Sequence, residues 1–139
     1  MSANDLLLAA GTALPLRTPE DIVRMRQVVR EQATGMGFSL VDQTKIVTAA
    51  SELARNTLVY GGGGEVAVAQ VVEGLRRGLR LVFSDRGPGI ADIALAMKDG
   101  YTTGGGLGLG LGGAKRLSNE FAIDSRPGEG TRITITRWK

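Results

Sequence analysis

Two side chains that suit a metal ion and a proton acceptor stand four residues apart in the segment SELARN. Glu52 and Asn56 have the spacing that places both on one face of a helix. An amide oxygen suits a magnesium ion, and a carboxylate beside it suits a general base. A surface ion pair between Glu52 and Arg55 is the alternative that this segment leaves open. The pair alone therefore indicates metal-assisted chemistry without identifying its substrate.

The segment SDRGPGI places a carboxylate where an apolar strand is predicted to end. Asp85 only accepts hydrogen bonds, so it suits the exocyclic amine of adenine, whereas guanine presents a carbonyl oxygen at that position. Gly87 and Gly89 would let the turn pass close under a base. A simple turn-forming aspartate, which is common, is the alternative.

Most residues from 100 to 113 are glycine, in the segment GYTTGGGLGLGLGG. Backbone N–H groups approach phosphate oxygens where no Cβ intervenes, and a helix beginning within residues 109–113 would direct its positive end at the same anion. Residues 104–106 would form the hinge and tip of a lid. A loop without function is the weaker alternative, because leucines alternate with the glycines and would be exposed there.

Two other phosphate-binding loops do not fit this segment. Gly108, Gly110 and Gly113 formally match G-x-G-x-x-G, but no strand precedes them and too little chain follows for a Rossmann unit. The G-K-[ST] of a P-loop is absent from the sequence. The glycines therefore indicate a phosphate cradle of a different type.

The elements that must position these groups follow from hydrophobic periodicity and capping residues. Tight turns join strands that are adjacent in sequence, so we expect a mixed, mostly antiparallel sheet with the helices on one face. This is an α+β fold, a two-layer α/β sandwich, in one domain over residues 1–139 with 1–11 as a loose N-terminal arm. The expected order is a strand at 12–17, a helix after Thr18, a helix after Ser39, strands at 65–73 and 79–84, a short helix at 91–99, a helix after the glycines, and strands at 122–125 and 131–138.

The composition restricts the class of protein. The chain of 139 residues is long enough for its own core, and it contains neither cysteine nor histidine. Disulfides, thiolate metal sites and phosphohistidine are therefore excluded. The net charge of +3 is scattered and aromatic residues make up only 4%, which does not favour a nucleic-acid surface. The apolar run at 6–10 is too short to span a bilayer, so we expect a cytoplasmic protein with no membrane partner.

Four short motifs occur in an order that resembles the GHKL superfamily (gyrase, Hsp90, histidine kinase, MutL). They are E-x-x-x-N, D-x-G-x-G, G-x-G-L and G-T, and the resemblance extends over residues 12–139. Within the superfamily, ASELARN, SDRGPGI, DGYTT and GLGLG look most like the RsbT-type serine/threonine-protein kinases, the anti-sigma factor kinases of bacterial stress signalling. The resemblance implies the Bergerat fold, which agrees with the expected element order.

The resemblance also implies a role for each matching position. Asn56 would bind the Mg²⁺ that bridges the phosphates of ATP, and Glu52 would take the proton of the acceptor hydroxyl. Asp85 would bind adenine, with Thr131 nearby. The other matching positions would shape the base pocket, hold the phosphates or form the lid, namely Gly87, Gly89, Thr102, Thr103, Gly106, Leu107, Gly108, Leu109 and Gly110.

The resemblance implies a partner switch as well. The acceptor would be a serine or threonine of a small STAS-domain protein, from which the kinase is released to another target, such as a phosphatase or other downstream regulator. Two positions depart from the pattern: no cation lies between Lys98 and Lys115 to meet the γ-phosphate, and Gly112 stands where relatives often have proline. A non-catalytic ATP-binding module, such as a direct anti-sigma factor, is therefore the alternative.

Overall fold

The computed structural model describes residues 11–97 and 110–139, which form one five-stranded sheet with helices on one face. The strand order is β1-β2-β3-β5-β4, and every neighbouring pair is antiparallel. The expected α+β sandwich and its element order are confirmed. In chain order the elements are β1 (Thr12–Leu16), α1 (Pro19–Gly35), α2 (Leu40–Val59), β2 (Gly64–Glu73), β3 (Arg76–Asp85), α3 (Ile93–Ala96), α4 (Gly110–Arg116), β4 (Glu120–Arg126) and β5 (Gly130–Trp138).

Helix α1 begins at the cap that the sequence predicts. The Thr18 hydroxyl accepts from the backbone N–H of Asp21 at 3.2 Å, and the Asp21 carboxylate accepts from the N–H of Thr18 at 3.1 Å. These two bonds satisfy backbone donors that the first turn leaves without partners. Met25, Val29 and Ala33 recur at helical spacing and are fully buried, so α1 presents one apolar stripe to the core.

The core lies between the sheet and the helices and continues to the end of the central strand. On β3, alternate side chains at Leu79, Leu81 and Phe83 are buried against α2, which contributes Ile46 and Leu53. Side chains alternate between the two faces of a strand. The next residue in this series is therefore the carboxylate at position 85, which lies on the helix-covered face at the end of β3.

The structure differs from the sequence-based expectation at the turn between β2 and β3. We expected a turn over residues 74–78, whereas the strands extend until Glu73 pairs with Arg76 and only Gly74 and Leu75 form the loop. Gly74 adopts a φ of 61°, which permits this two-residue connection. The glycine at position 78 is part of the strand.

Helix α2 is joined to the last strand by an ion pair. We expected Asp42 to complete a capping box with Ser39; its N–H does donate to the Ser39 hydroxyl at 3.1 Å. Its carboxylate, however, accepts from Arg137 Nη2 at 2.6 Å, while Arg137 Nη1 donates to the carbonyl of Leu117 at 2.9 Å. This guanidinium holds the pKa of Asp42 below its ordinary value, and the Ser39 hydroxyl contributes in the same direction.

None of the helices in the described part of the chain is long and apolar enough to cross a membrane.

Candidate functional site

A cavity of about 450 Å³ opens between the end of α2, the ends of β3 and β5, and helices α3 and α4. Its volume is in the range that encloses a small ligand. Apolar side chains make up much of the wall, with a few polar groups between them. The lining residues are Asn56, Thr57, Tyr60, Gly61, Phe83, Asp85, Pro88, Gly89, Ile90, Ala91, Asp92, Leu95, Ala96, Gly110, Leu111, Thr131 and Ile133.

Five of the sequence-predicted site residues meet in this cavity although they lie far apart in the chain. Asn56 comes from α2, Asp85 from the end of β3, Gly89 from the following loop, Gly110 from the start of α4 and Thr131 from the start of β5. An amide, a carboxylate and a hydroxyl thus converge on one apolar space. Such a combination binds a ligand that is partly aromatic and partly polar.

The carboxylate of Asp85 is held by its own turn. Its Oδ1 accepts from the backbone N–H of Gly87 at 2.9 Å, so one oxygen has a fixed partner within the protein. Gly87 itself is not part of the cavity wall. Thr131 is the register partner of Asp85 across β3 and β5, which places a hydroxyl-bearing residue beside the carboxylate. The pair places a carboxylate and a hydroxyl side by side in the cavity wall.

The loop after β3 is held by hydrogen bonds to the β4–β5 hairpin. The sequence predicts the two strands of this hairpin but not these contacts. The N–H of Ile90 donates to the Ser125 hydroxyl at 2.8 Å, and that hydroxyl lies 2.7 Å from the hydroxyl of Thr131. The N–H of Gly128 donates to the carbonyl of Pro88 at 2.8 Å. Ser125 therefore links both sides of the site, but nothing in the sequence separates it from an ordinary strand serine.

Gly89 is needed where this loop passes the hairpin. Its φ is 76°, and a Cβ at this position would lie 2.2 Å from the carbonyl oxygen of Arg126. Both the backbone conformation and the close approach exclude a larger residue. The expectation that Gly89 shapes the turn under a ligand agrees with its place in the wall.

Glu52 lies one helical turn before Asn56 on α2 and is only 7% exposed. The surface position that the ion-pair alternative assumes does not fit that burial. Glu52 does not line the cavity itself. It lies four residues before Asn56 on the same helix.

The donor set at Asn56 fits a metal ion that arrives with phosphate groups. Among residues 11–97 and 110–139, no three acidic, histidine or cysteine side chains cluster as a metal cage. Magnesium in phosphoryl-transfer sites keeps several waters and takes one or two protein ligands besides the phosphates of the substrate. The half-buried amide of Asn56 in the cavity wall suits this mode of binding.

The remaining predicted positions lie outside the described residues: Thr102, Thr103, Gly106, Leu107, Gly108 and Leu109. Immediately after them, Gly110 and Leu111 begin α4 and are buried in the cavity wall. The expectation that this segment leads into a helix is confirmed for its last residues.

Sequence reasoning missed several apolar lining residues and one glycine. Tyr60 and Gly61 follow directly on the helix that carries Asn56, and Leu95 from α3 completes the wall. From the sequence alone, the segment YGGGG at residues 60–64 predicts only the end of the preceding helix. Four consecutive glycines directly after a functional helix were the available signal of a close backbone approach.

A second cavity of about 820 Å³ lies against the same wall and shares Gly61, Asp85 and Thr131 with the first. Its lining contains equal numbers of arginines and acidic residues. The arginines are Arg17, Arg86, Arg126 and Arg132, and the acids are Glu65, Asp85, Asp124 and Glu129. With equal numbers of positive and negative side chains, the lining favours neither an anionic nor a cationic ligand.

The chain is similar to known proteins over most of its length. Residues 20–139 match the family described as histidine kinase-, DNA gyrase B- and HSP90-like ATPase. The serine/threonine-protein kinase RsbT of Bacillus subtilis is 48% identical over 123 residues, which cover 88% of this chain and 92% of that protein. An anti-sigma F factor of Thermoanaerobacter is 26% identical over 119 residues, covering 81% of this chain and 82% of the relative.

A solved structure shows the same fold. The RsbU and RsbW domains of a Mycobacterium tuberculosis protein superpose with a TM-score of 0.63 at 24% identity, covering 92% of this chain and 32% of that one. This likeness of fold agrees with the family match and the identity to RsbT. The chain belongs to the histidine kinase-, DNA gyrase B- and HSP90-like ATPase family, in its RsbT-type serine/threonine-protein kinase branch.

Proposed function

We propose that this kinase binds ATP with Mg²⁺ in the 450 Å³ cavity and phosphorylates a serine or threonine of a small STAS-domain protein. The observation that carries the proposal is the convergence of Asn56, Asp85 and Thr131 on one cavity, with the buried Glu52 one helical turn from Asn56. The 48% identity to RsbT supports the reaction class.

The base-binding role falls to Asp85. Adenine offers an amine donor where guanine offers a carbonyl, and a carboxylate accepts from the first but repels the second. Thr131, beside it in register, provides a further hydroxyl for the ring. Ile90, Leu95 and Leu111 would bury the faces of the base, because they supply the apolar wall of the same cavity.

The metal-binding role falls to Asn56. Its side-chain amide oxygen would hold Mg²⁺ against the phosphates, and the bound ion would neutralise charge on the transferring group. Gly110 and Leu111 at the start of α4 line the same cavity, and the phosphate chain would pass beside them.

The proton-accepting role falls to Glu52. The acceptor hydroxyl has to come from another chain, and its proton passes to the Glu52 carboxylate as its oxygen bonds to the γ-phosphorus. The bond from that phosphorus to the bridging oxygen breaks, and ADP leaves with the electron pair. Burial of Glu52 suits this task, because the transfer requires exclusion of water from the reacting groups.

The STAS-domain partner is inferred from the branch of the family to which the chain belongs. Partner switching would follow from the reaction itself, since a phosphorylated acceptor carries added charge at the surface that held the kinase. The kinase would then be free to bind a phosphatase or another downstream regulator.

The test is transfer of labelled γ-phosphate from ATP to a STAS-domain protein encoded beside this kinase, with and without Mg²⁺. We expect label on a serine or threonine of the partner only when Mg²⁺ is present. The matched control replaces that serine or threonine by alanine. If the wild-type chain binds ATP and the partner but transfers no phosphate, the protein is an ATP-dependent binding module instead. The 26% identity to an anti-sigma F factor makes that the second candidate.

A further inference from the structure

Gly61 lies in close contact with the carboxylate that is proposed to bind adenine. A Cβ built on Gly61 would lie 2.4 Å from Cγ of Asp85 and 2.6 Å from both its Cβ and its Oδ2. Distances this short do not occur between non-bonded carbon atoms, whose optimal separation is about 3.5–4.0 Å. The position therefore accommodates only glycine as long as Asp85 stays where it is.

Rotation of the Asp85 side chain would not relieve this contact. The Cβ of Asp85 is fixed to its backbone, so turning the carboxylate away leaves that atom 2.6 Å from the added methyl group. Retreat of the loop is restricted as well, because the Cα of Gly87 faces Gly61 from another direction: a Cβ on Gly87 would lie 2.7 Å from Cα of Gly61. The backbone at Gly61 thus packs between Asp85 and the turn that holds its Oδ1.

Gly61 is also tied to the end of α2. Its N–H donates to the carbonyl of Asn56 at 3.2 Å, alongside the N–H of Tyr60 at 2.9 Å. The residue proposed to hold the metal and the residue proposed to bind the base are therefore connected through one backbone unit. The separation between Asn56 and Asp85 depends on the absence of a side chain at this point.

We infer that Gly61 is a positioning residue that determines the selectivity of the site for adenine. Without a side chain at this position, the Asp85 carboxylate lies at a fixed distance from the α2 terminus. An added methyl group displaces it from the edge of the base. The inference rests on the proposed function, because it takes Asp85 as the group that binds the adenine amine.

The chain offers a clean substitution and two matched controls. Gly61 has no left-handed φ, so Gly61→Ala adds the methyl group without backbone strain. Gly62→Ala places a methyl group in open space on a residue with a φ of 73°. This variant therefore measures the effect of backbone strain in the same loop without any contact to Asp85. Gly35→Ala places one in open space at the end of α1, far from the site.

The experiment measures the dissociation constants of ATP and GTP for the wild-type chain and these three variants, together with their thermal unfolding. We expect Gly61→Ala to weaken ATP binding on the order of tenfold to hundredfold, the range typical of a lost polar pairing in a buried site. GTP binding should change much less, so the selectivity ratio falls. Both controls should keep the wild-type ratio, although Gly62→Ala lowers the unfolding temperature.

A double-mutant cycle separates positioning from a general structural role. In the Asp85→Ala background the Cβ contact remains but no carboxylate is left to be displaced, so Gly61→Ala should not change the ratio of ATP to GTP affinity any further. Full additivity of the two substitutions in that ratio would overturn the inference, since Gly61 would then act independently of the carboxylate.

The other outcomes are equally distinct. A wild-type chain that binds ATP and GTP equally contradicts the adenine-binding role of Asp85 and removes the basis of the inference. If the wild-type chain prefers ATP to GTP and Gly61→Ala keeps the same preference, the inference about Gly61 is overturned, while the adenine-binding role of Asp85 stands. If Gly61→Ala does not fold, Gly87→Ala presses on Gly61 from the other direction and carries the same test. Failure of both variants to fold overturns the inference, because Gly61 would then be required by the fold.

Discussion

The two ends of the central strand β3 are built in different ways. At the Asp85 end, backbone packs on backbone, and the glycine at position 61 permits an approach that any side chain would block. At the opposite end, Gly78 also approaches the backbone carbonyl of Arg137 closely, but side-chain contacts join the strands. The guanidinium of Arg76 lies 4.1 Å from the ring centre of Trp138, whose Nε1 donates to Glu120 Oε2 at 2.7 Å.

The two kinds of contact have different consequences for the placement of functional groups and for the stability of the fold. Backbone contacts have no adjustable torsions, so a group that they hold is placed accurately and a small addition displaces it. Side-chain contacts at a partly exposed end adapt to substitution and contribute in small increments. We therefore expect changes at the Asp85 end to alter binding and catalysis, and changes at the Arg76 end to alter stability alone.

The largest effect is expected at Glu52. Glu52→Gln keeps the size of the buried side chain but removes its capacity to take a proton, so the rate of phosphate transfer should fall by about 10²–10⁴-fold. The dissociation constant of ATP should stay within about twofold of wild type, because Glu52 does not line the cavity. Single-turnover transfer and nucleotide titration measure the two quantities. Glu31→Gln, on the exposed side of α1, is the matched control; an unchanged rate in Glu52→Gln would show that the base is misassigned.

A smaller effect is expected at Asp85, confined to binding of the base. Asp85→Asn retains an oxygen that accepts from the N–H of Gly87 but presents an amide to adenine, so ATP binding should weaken by about 1–3 kcal/mol. GTP binding should weaken less or improve. Titration of both nucleotides measures this, with Asp124→Asn, whose side chain is 76% exposed, as the control. A parallel loss for ATP and GTP would contradict base recognition by Asp85.

The parts of the fold that could be predicted from the sequence are those set by contacts between residues close together in the chain. The caps at Thr18 and Ser39 and the alternation along β3 are local signals, and the elements that they predict are confirmed. The carboxylate of Asp42 was expected to close a capping box. It binds Arg137 instead, because a charged partner 95 residues away offers a stronger bond than a backbone N–H.

The residues of the candidate site also fall into those that the sequence predicted and those that it did not. Asn56 and Asp85 were predicted from the sequence because each stands in a recognisable short motif, and both line the cavity. Ser125 and Gly61 were not, because their importance arises only when the hairpin and the loop after α2 are brought against β3. Contacts of this kind have no local pattern to detect.

The Asp42–Arg137 ion pair tests the expectation that side-chain contacts away from the cavity affect stability alone. Asp42→Asn should lower the free energy of unfolding by about 1 kcal/mol at neutral pH, a value that allows for solvent screening because the Asp42 side chain is 34% exposed. ATP and GTP affinities should not change. Chemical denaturation measures the first quantity, and Asp124→Asn, whose side chain is 76% exposed, is a control for loss of one carboxylate.

The same pair predicts a pH dependence of stability. The pKa of Asp42 is lowered in the folded protein, chiefly by its hydrogen bond with Arg137, so its stabilising contribution is present above the ordinary carboxyl pKa. That contribution is lost as the pH falls below about 4 through the folded-state value. Stability curves of wild type and Asp42→Asn should converge towards low pH. Curves that stay parallel down to pH 2 would contradict the pairing.

The smallest effect is expected at Glu120. Glu120→Ala removes the hydrogen bond from Trp138 Nε1 and a 3.6 Å ion pair with Arg80, but its side chain is 46% exposed. The loss of stability should not exceed about 1 kcal/mol, and nucleotide binding should be unchanged. Thermal unfolding with Glu129→Ala as the control measures it. A change in ATP affinity would show that the two ends of β3 are not independent.

Hydrogen exchange with and without Mg²⁺ and a non-hydrolysable ATP analogue tests the nucleotide site most directly. We expect slower exchange at residues 60–61 and 89–91 and at Leu111, which line the cavity that would hold the ligand. Exchange at residues 74–78 and at Trp138 should stay the same, because that end of the sheet lies away from the cavity. Protection confined to residues 74–78, or no protection in the cavity wall at saturating nucleotide, would contradict the assignment of the site.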